Sequence, residues 1–284
     1  MTTPELAILD VLARASGLPP LATAVAHPCD EPSLAAVLAA RDRGLVAPIL
    51  VGPEGKIRSL AAAAGLDLAG IPIRDVPHSH ASAARAVELA RRAEVGAIMK
   101  GSLHTDELLG EVVRTDTGLR TARRISHVFV MQVPGLERLL LVTDAAVNIA
   151  PGLEEKADIV QNAIDLALAL GVSQPRVAIL SAVETVTSKL RSTIDAAALC
   201  KMADRGQITG GLLDGPLAFD NAVSPEAARV KGIASEVAGR ADILVAPDLE
   251  SGNILAKQLE YFAGAEAGGV VLGARVPIIL SSRA

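Results

Sequence analysis

Short apolar runs alternate with longer amphipathic stretches along almost the whole chain. The apolar runs Thr23–Ala26, Ala47–Val51, Ile71–Arg74 and Val95–Lys100 read as strands. Between and after them, Ser33–Arg43, Glu54–Ala64, Ala81–Ala93 and Thr105–Arg114 have the spacing of helices. The first residues, MTTPELAILDVLARA, form an amphipathic helix pattern and lack the basic-then-apolar order of a signal peptide. Val128–Val133 and Arg138–Thr143 then follow each other closely around Pro134-Gly135. Strands that close predict an antiparallel hairpin, because a parallel pair needs a long crossover. The alternation resumes with a helix over Leu153–Leu170, a strand over Arg176–Ser181 and a helix over Leu190–Ala203. A strand near Leu212 breaking at a tight Asp214-Gly215-Pro216 turn comes next, then a helix over Val230–Val237 and a strand over Asp242–Ala246. A helix over Asn253–Ala263 and strands over Gly269–Leu272 and Val276–Leu280 complete the pattern.

Such alternation predicts an α/β protein with mostly parallel sheets and helices on both faces. The hairpin interrupts the rhythm and marks a boundary between two αβα lobes. One lobe is expected from residues 1–130 with 275–284, the other from 131–274, with a cleft between them.

Composition narrows this further. Half of the chain is apolar, yet it has three Phe, one Tyr and no Trp, so the core must be aliphatic, which suits buried parallel strands. The formal charge of −5 has no long basic stripe set against it, and four scattered aromatics give no base-stacking surface, so no nucleic-acid partner is expected. No apolar run is long enough to span a bilayer, so no membrane partner is expected. Cys29 and Cys200 stand alone and have no metal-ligand spacing, which fits a reducing, cytoplasmic compartment and no metal.

Ligands of open α/β sheets bind outside the carboxyl ends of the strands. Lys100-Gly101-Ser102-Leu103-His104-Thr105 follows one strand and opens a helix: Gly permits close approach, and hydroxyls, helix N–H groups and Lys100 favour an anion. The alternative is a plain turn capped by Thr105, with His104 at the surface. Asp144 and Asn148 after Thr143 either line the site or bond their own turn. Lys189 with the hydroxyls of Ser181–Ser188 is an anion site or a solvated cap. Asp214 either orients a cation or closes its turn. Gly252-Asn253, read as just ahead of a helix that carries Lys257, is an anion or amide site. The final strand runs into Ser281-Ser282-Arg283, and Arg is the preferred bidentate phosphate ligand. There is no G-x-S-x-G elbow, Walker loop, G-x-G-x-x-G turn or H-E-x-x-H pair, which argues against the corresponding hydrolases, ATPases, dehydrogenases and zinc enzymes.

These segments, in this order, resemble the phosphate acetyltransferase and phosphate butyryltransferase family. The resemblance rests on Lys100–Thr105, Gly118-Leu119-Arg120-Thr121, Ser126-His127-Val128, Asp214-Gly215-Pro216-Leu217, Pro247–Asn253 and Ser282-Arg283, with Lys100–Thr105 and Gly118–Thr121 nearer the butyryl branch. It implies an isocitrate dehydrogenase-like fold and a homodimer. It further implies exchange of an acyl group between coenzyme A and phosphate in a ternary complex, with acyl-CoA as substrate and no bound cofactor. Arg283 would hold the phosphoryl group and Ser282 would lie near the reacting carbonyl; in this chain Asp144, Glu184 or His104 is a carboxylate or imidazole available for proton transfer. Arg114, Arg120 and Arg123 are the arginines available for coenzyme A. The acetyl branch carries an Asp several residues beyond its Ser-Arg pair, and this sequence ends at Ala284. Weak turnover with retained binding is therefore the expectation, and a non-catalytic acyl-CoA or phosphate-binding module is the alternative.

Overall fold

A computed structural model describes residues 8–280 of the chain. In chain order the elements are α1 (Ile8–Ala15), β1 (Leu21–Ala26), α2 (Glu31–Asp42), β2 (Val46–Gly52), α3 (Glu54–Ala64), β3 (Ile73–Asp75), α4 (Ser79–Arg91), β4 (Ala97–Lys100) and α5 (Thr105–Val112). They continue with β5 (Ser126–Gln132), β6 (Leu140–Thr143), α6 (Leu153–Leu170), β7 (Arg176–Leu180), α7 (Arg191–Asp204), β8 (Leu212–Leu217), α8 (Phe219–Val223) and α9 (Pro225–Val230). Last come β9 (Ile243–Val245), α10 (Leu249–Tyr261), β10 (Glu266–Leu272) and β11 (Ile278–Leu280).

The chain divides into two compact units. One holds residues 12–123 and 269–280; the other holds 8–11 and 124–268. The cuts fall at 123/124 and 268/269, where the sequence pattern alone places them at 130/131 and 274/275.

In the first unit the strands lie in the order β3-β2-β1-β4-β11-β10. β1 runs parallel to β2 and β4, β2 to β3, and β4 to β11; β10 is antiparallel to β11. Each of β1, β2, β3 and β4 feeds a helix, so the N-termini of α2, α3, α4 and α5 all gather at one edge of this sheet. Local chemistry starts these helices there. Asp30 accepts from Ser33 N at 3.0 Å with Pro32 in the first turn of α2, and His78 Nδ1 accepts from Ala81 N at 3.2 Å at the start of α4. Val25, Leu34, Val37, Leu50, Ile57 and Met99 pack into an aliphatic core between sheet and helices.

In the second unit the order is β5-β6-β9-β7-β8. β6, β9, β7 and β8 are parallel, and β5 is antiparallel to β6 with Val128 opposite Thr143, as the close spacing requires. Its core is built from Met131, Leu140, Val142, Ala178, Leu217 and Leu244.

Three local expectations are corrected. Val230–Val237 is not a helix: Ser224 Oγ accepts from Ala227 N at 3.2 Å, Pro225 starts α9, and the chain turns at Gly232, whose φ is 68°. Asp214-Gly215-Pro216 is not a turn but part of β8, with a cis Gly215–Pro216 peptide and a register shift between Ala178 and Leu180 on β7. β8 is the edge strand of its unit, where a proline costs no ladder bond. Gly252 and Asn253 do not precede α10; they lie inside it, because Asp248 caps it by accepting from Ser251 N at 2.8 Å.

Candidate active site

The loop after β4 is held from below by the end of β1. Gly101 N donates to Ala26 O at 2.8 Å and Ser102 N to His27 O at 2.9 Å. The Ser102 hydroxyl donates to the same His27 carbonyl at 2.9 Å and accepts from Cys29 N at 3.2 Å. Glycine is required at 101: a Cβ there would sit 2.5 Å from His27 O and 2.6 Å from Ala26 O, both backbone atoms. Lys100 is 5% exposed, and its ammonium donates to Gly101 O at 3.1 Å and Leu103 O at 3.2 Å. Its charge thus closes the loop from inside. His104, and not Thr105, stands at the cap position of α5; it is exposed, and its main-chain N donates to Glu107 Oε1 at 3.4 Å. Thr105 is the first helical residue and half-buried.

Around this loop lie groups that strand-end reasoning passed over. His27 Nδ1 is 3.2 Å from Ser82 Oγ, and burial first, then the charge of Lys56, holds its pKa below the usual imidazole value. Burial pushes the Cys29 thiol up. His80 Nδ1 lies 3.5 Å from Glu107 Oε2, and Glu107 is held below the usual carboxylate range, chiefly by a hydrogen bond from Ser79. The signal for His27 and Cys29 was present in the sequence as a polar pair directly after the first strand. Arg120 stands apart on the segment beyond α5: it bridges to Ala274, and its Nη1 is 3.4 Å from Thr115 Oγ1. Arg114 pairs with Glu111 at 3.4 Å.

The remaining candidates lie in the second unit. The Asp144 carboxylate accepts from Ala146 N at 3.0 Å, Val147 N at 3.1 Å and Asn148 N at 3.0 Å, and also from the Asn148 side chain. These are the bonds of the turn-forming alternative. Asn148 also receives Arg124 Nε at 2.7 Å, and Arg124 pairs with Glu155 at 2.9 Å. Gly252 packs α10 onto this loop, since a Cβ there would meet Asp144 O at 2.5 Å. Asn253 donates to Ala145 O at 3.0 Å. Both residues thus brace the 144–148 loop, Asn253 with one of its amide N–H groups.

Lys257 pairs with Glu260 at 3.0 Å and sits 5.7 Å from the Tyr261 ring centroid. Lys189 is exposed ahead of α7, its main-chain N donating to Thr187 Oγ1 at 3.3 Å, which is the solvated-cap alternative. Asp214 Oδ1 accepts from Gly215 N at 2.8 Å. Burial, then the charge of Asp214, pushes the Cys200 thiol up to about 12. Ser282 and Arg283 lie outside the described residues. Among the described residues no group of three or more His, Cys, Asp or Glu side chains is placed to hold a metal, and no helix is long and apolar enough to cross a membrane.

The geometry can therefore do one thing well. At the carboxyl edge of the first unit's sheet, Gly101 lets the loop after β4 pack against the end of β1, and the helix N-termini that gather at this edge favour negative charge. Residues 80–284 match the family described as phosphate acetyl/butaryl transferase. A phosphate acetyltransferase of Rhizobium meliloti is 64% identical over 274 residues, covering 96% of this chain and 87% of that protein. A phosphate butyryltransferase of Clostridium acetobutylicum is 44% identical over 261 residues, covering 92% and 87%. Among solved structures, a branched-chain phosphotransacylase from Enterococcus faecalis superposes with a TM-score of 0.80 at 29% identity, covering 93% of this chain and 92% of that one.

Proposed function

This chain belongs to the phosphate acetyl/butyryl transferase family and is a phosphate acyltransferase, and we propose that it exchanges a short acyl group between coenzyme A and inorganic phosphate by direct transfer. A phosphate oxygen attacks the thioester carbonyl carbon; the new C–O bond forms, the C–S bond breaks, and coenzyme A leaves as a thiolate that takes up a proton. In reverse, the thiolate attacks the acyl phosphate and phosphate leaves. No bound cofactor is required by this chemistry.

The observation that carries this reading is the edge of the first sheet, where α2, α3, α4 and α5 all begin and where the Gly101 loop also lies. A phosphate dianion there receives main-chain N–H groups of the first turn of α5, with the Thr105 hydroxyl beside them. Lys100, Gly101 and Ser102 shape the loop. His104, exposed at the start of α5, is the group assigned to the proton, since a free thiol with a pKa near ~8.5 needs help at neutral pH. By family resemblance Arg283 holds the phosphoryl group and Ser282 the carbonyl, and Arg114, Arg120 and Arg123 are the arginines available to coenzyme A.

The higher identity to an acetyltransferase than to a butyryltransferase supports acetyl-CoA as the first substrate to try. Exposed Ile254, Tyr261 and Phe262 at α10 support a homodimer, and two unpaired thiols, Cys29 and Cys200, support a cytoplasmic setting. The test is thiol release from acetyl-, propionyl- and butyryl-CoA with and without phosphate. Release that depends on phosphate and yields acyl phosphate is the expected result; release indifferent to phosphate refutes the proposal.

A further inference from the structure

Among the described residues two that are not glycine have positive φ: His27 at 55° and Ala93 at 58°. Ala93 has an ordinary reason, because it follows the end of α4 and its N–H returns to Ala90 O at 3.0 Å. His27 ends no helix. It follows the last residue of β1, where its own N–H still donates to Val51 O at 2.7 Å and keeps the strand ladder going. The left-handed turn then swings its carbonyl out of the ladder. That one oxygen collects three donors: Cys29 N at 2.8 Å, Ser102 N at 2.9 Å and Ser102 Oγ at 2.9 Å. Unusual backbone held in place by many contacts is often found where geometry serves a function.

The ring is not what does the holding. It packs behind the turn, with Nδ1 beside the buried Ser82 hydroxyl and against Gly52, where a Cβ would come within 3.7 Å of Nδ1. None of the three bonds to the 100–105 loop and its neighbour Cys29 uses the imidazole. A residue that favours left-handed backbone would make all three without it.

We propose that His27 is a positioning residue for the phosphate anion, acting through its left-handed main chain, which aims one carbonyl at Ser102 and thereby sets the first turn of α5. This rests on the reading that the Lys100–Thr105 loop receives phosphate. Asn and Gly both adopt left-handed backbone readily, whereas a β-branched side chain is strongly disfavoured there.

The experiment compares His27→Gly, His27→Asn and His27→Val by steady-state kinetics, with phosphate varied at saturating acetyl-CoA. His27→Val should raise the KM for phosphate about tenfold, the worth of one well-placed hydrogen bond, while kcat changes by less than about threefold. His27→Gly and His27→Asn should keep that KM within about twofold of the parent. A merely structural role would lower the amount of folded enzyme without moving KM. If His27→Gly is as impaired as His27→Val, the imidazole is responsible and the proposal is overturned. If His27→Val does not fold, His27→Ala against His27→Gly reads the same contrast, and equal KM values overturn it too. Gly101→Ala separates the two layers: a raised KM there with a normal KM in His27→Val overturns the positioning role alone, whereas normal KM values in both remove the loop as the phosphate site.

Discussion

Gly101→Ala perturbs the loop at the point where it leaves least room. The added Cβ would lie 2.5 Å from His27 O, 2.6 Å from Ala26 O and 2.7 Å from His27 C, and all three are backbone atoms that cannot rotate away. The β1 and β4 ends must separate. That weakens Gly101 N to Ala26 O, Ser102 N to His27 O and Ser102 Oγ to His27 O, now 2.8, 2.9 and 2.9 Å. At about 1 kcal/mol net for each bond, the cost is about 3 kcal/mol. For a chain of this size that is a Tm loss on the order of 6 °C or more. Displacing the loop by even part of an ångström should lower kcat/KM by about 10²-fold, as misplacement of a positioning element does. Gly110→Ala is the control. Gly110 lies exposed in α5 with nothing within 4 Å of an added Cβ, so the change should stabilise by about 0.5–1 kcal/mol through helix propensity alone. Thermal unfolding and thiol release on both variants decide the matter. A Gly101→Ala enzyme with parental Tm and kcat/KM refutes the packing and the site together. A destabilised enzyme with parental kcat/KM keeps the packing and removes the loop from catalysis.

His127 is 2% exposed, its Nδ1 has no partner, and burial lowers its pKa to about 4. Its unfolded value is 6.5, so the unfolded chain binds the extra proton between those two values and stability rises with pH there. The contribution is complete above pH 6.5 and falls by about 3 kcal/mol as pH drops to about 4; urea unfolding at several pH values should show this slope in the parent and not in His127→Gln. Lys156 and Asp195 form a buried ion pair at 2.7 Å between α6 and α7, and Arg191 Nε, 3.6 Å from the same carboxylate, is the cation left to it, so Lys156→Ala should cost about 2–3 kcal/mol, less than for a carboxylate left with no partner, and a loss under about 1 kcal/mol in denaturant titration would contradict that. Ala93→Gly should stabilise by about 1 kcal/mol, because the left-handed position after α4 penalises a Cβ; an unchanged or lower Tm counts against it.

What the sequence made legible and what it hid follow one physical division. Local signals were readable because cause and consequence are neighbours. Leu153–Leu170 is helical to the residue, since Gly152 and Gly171 bracket an unbroken helical pattern and Gly171 adopts a φ of 102°. The hairpin was readable because a short connection allows one strand sense. The misread helix at Val230–Val237 shows the limit: its spacing is helical, but a single left-handed glycine at 232 overrides it.

The site divides in the same way. Polar, Gly-rich strand ends were the sequence signal for a site, and at 101 the glycine is required for a different reason, the close approach of the β1 backbone. What a side chain at a strand end is bonded to depends on partners far along the chain. Asn253 looked like a ligand donor, yet it reaches Ala145 O, 108 positions away, and Ser102 reaches His27 O, 75 away. Lys100 donates to carbonyls of its own loop, and Asp144 accepts from its own turn. An amide, hydroxyl or ammonium satisfied inside the protein no longer has the same donor to give a substrate. Ser102, Lys100, Asp144 and Asn253 bond within the protein, and the proposed phosphate site rests instead on main-chain N–H groups at the start of α5.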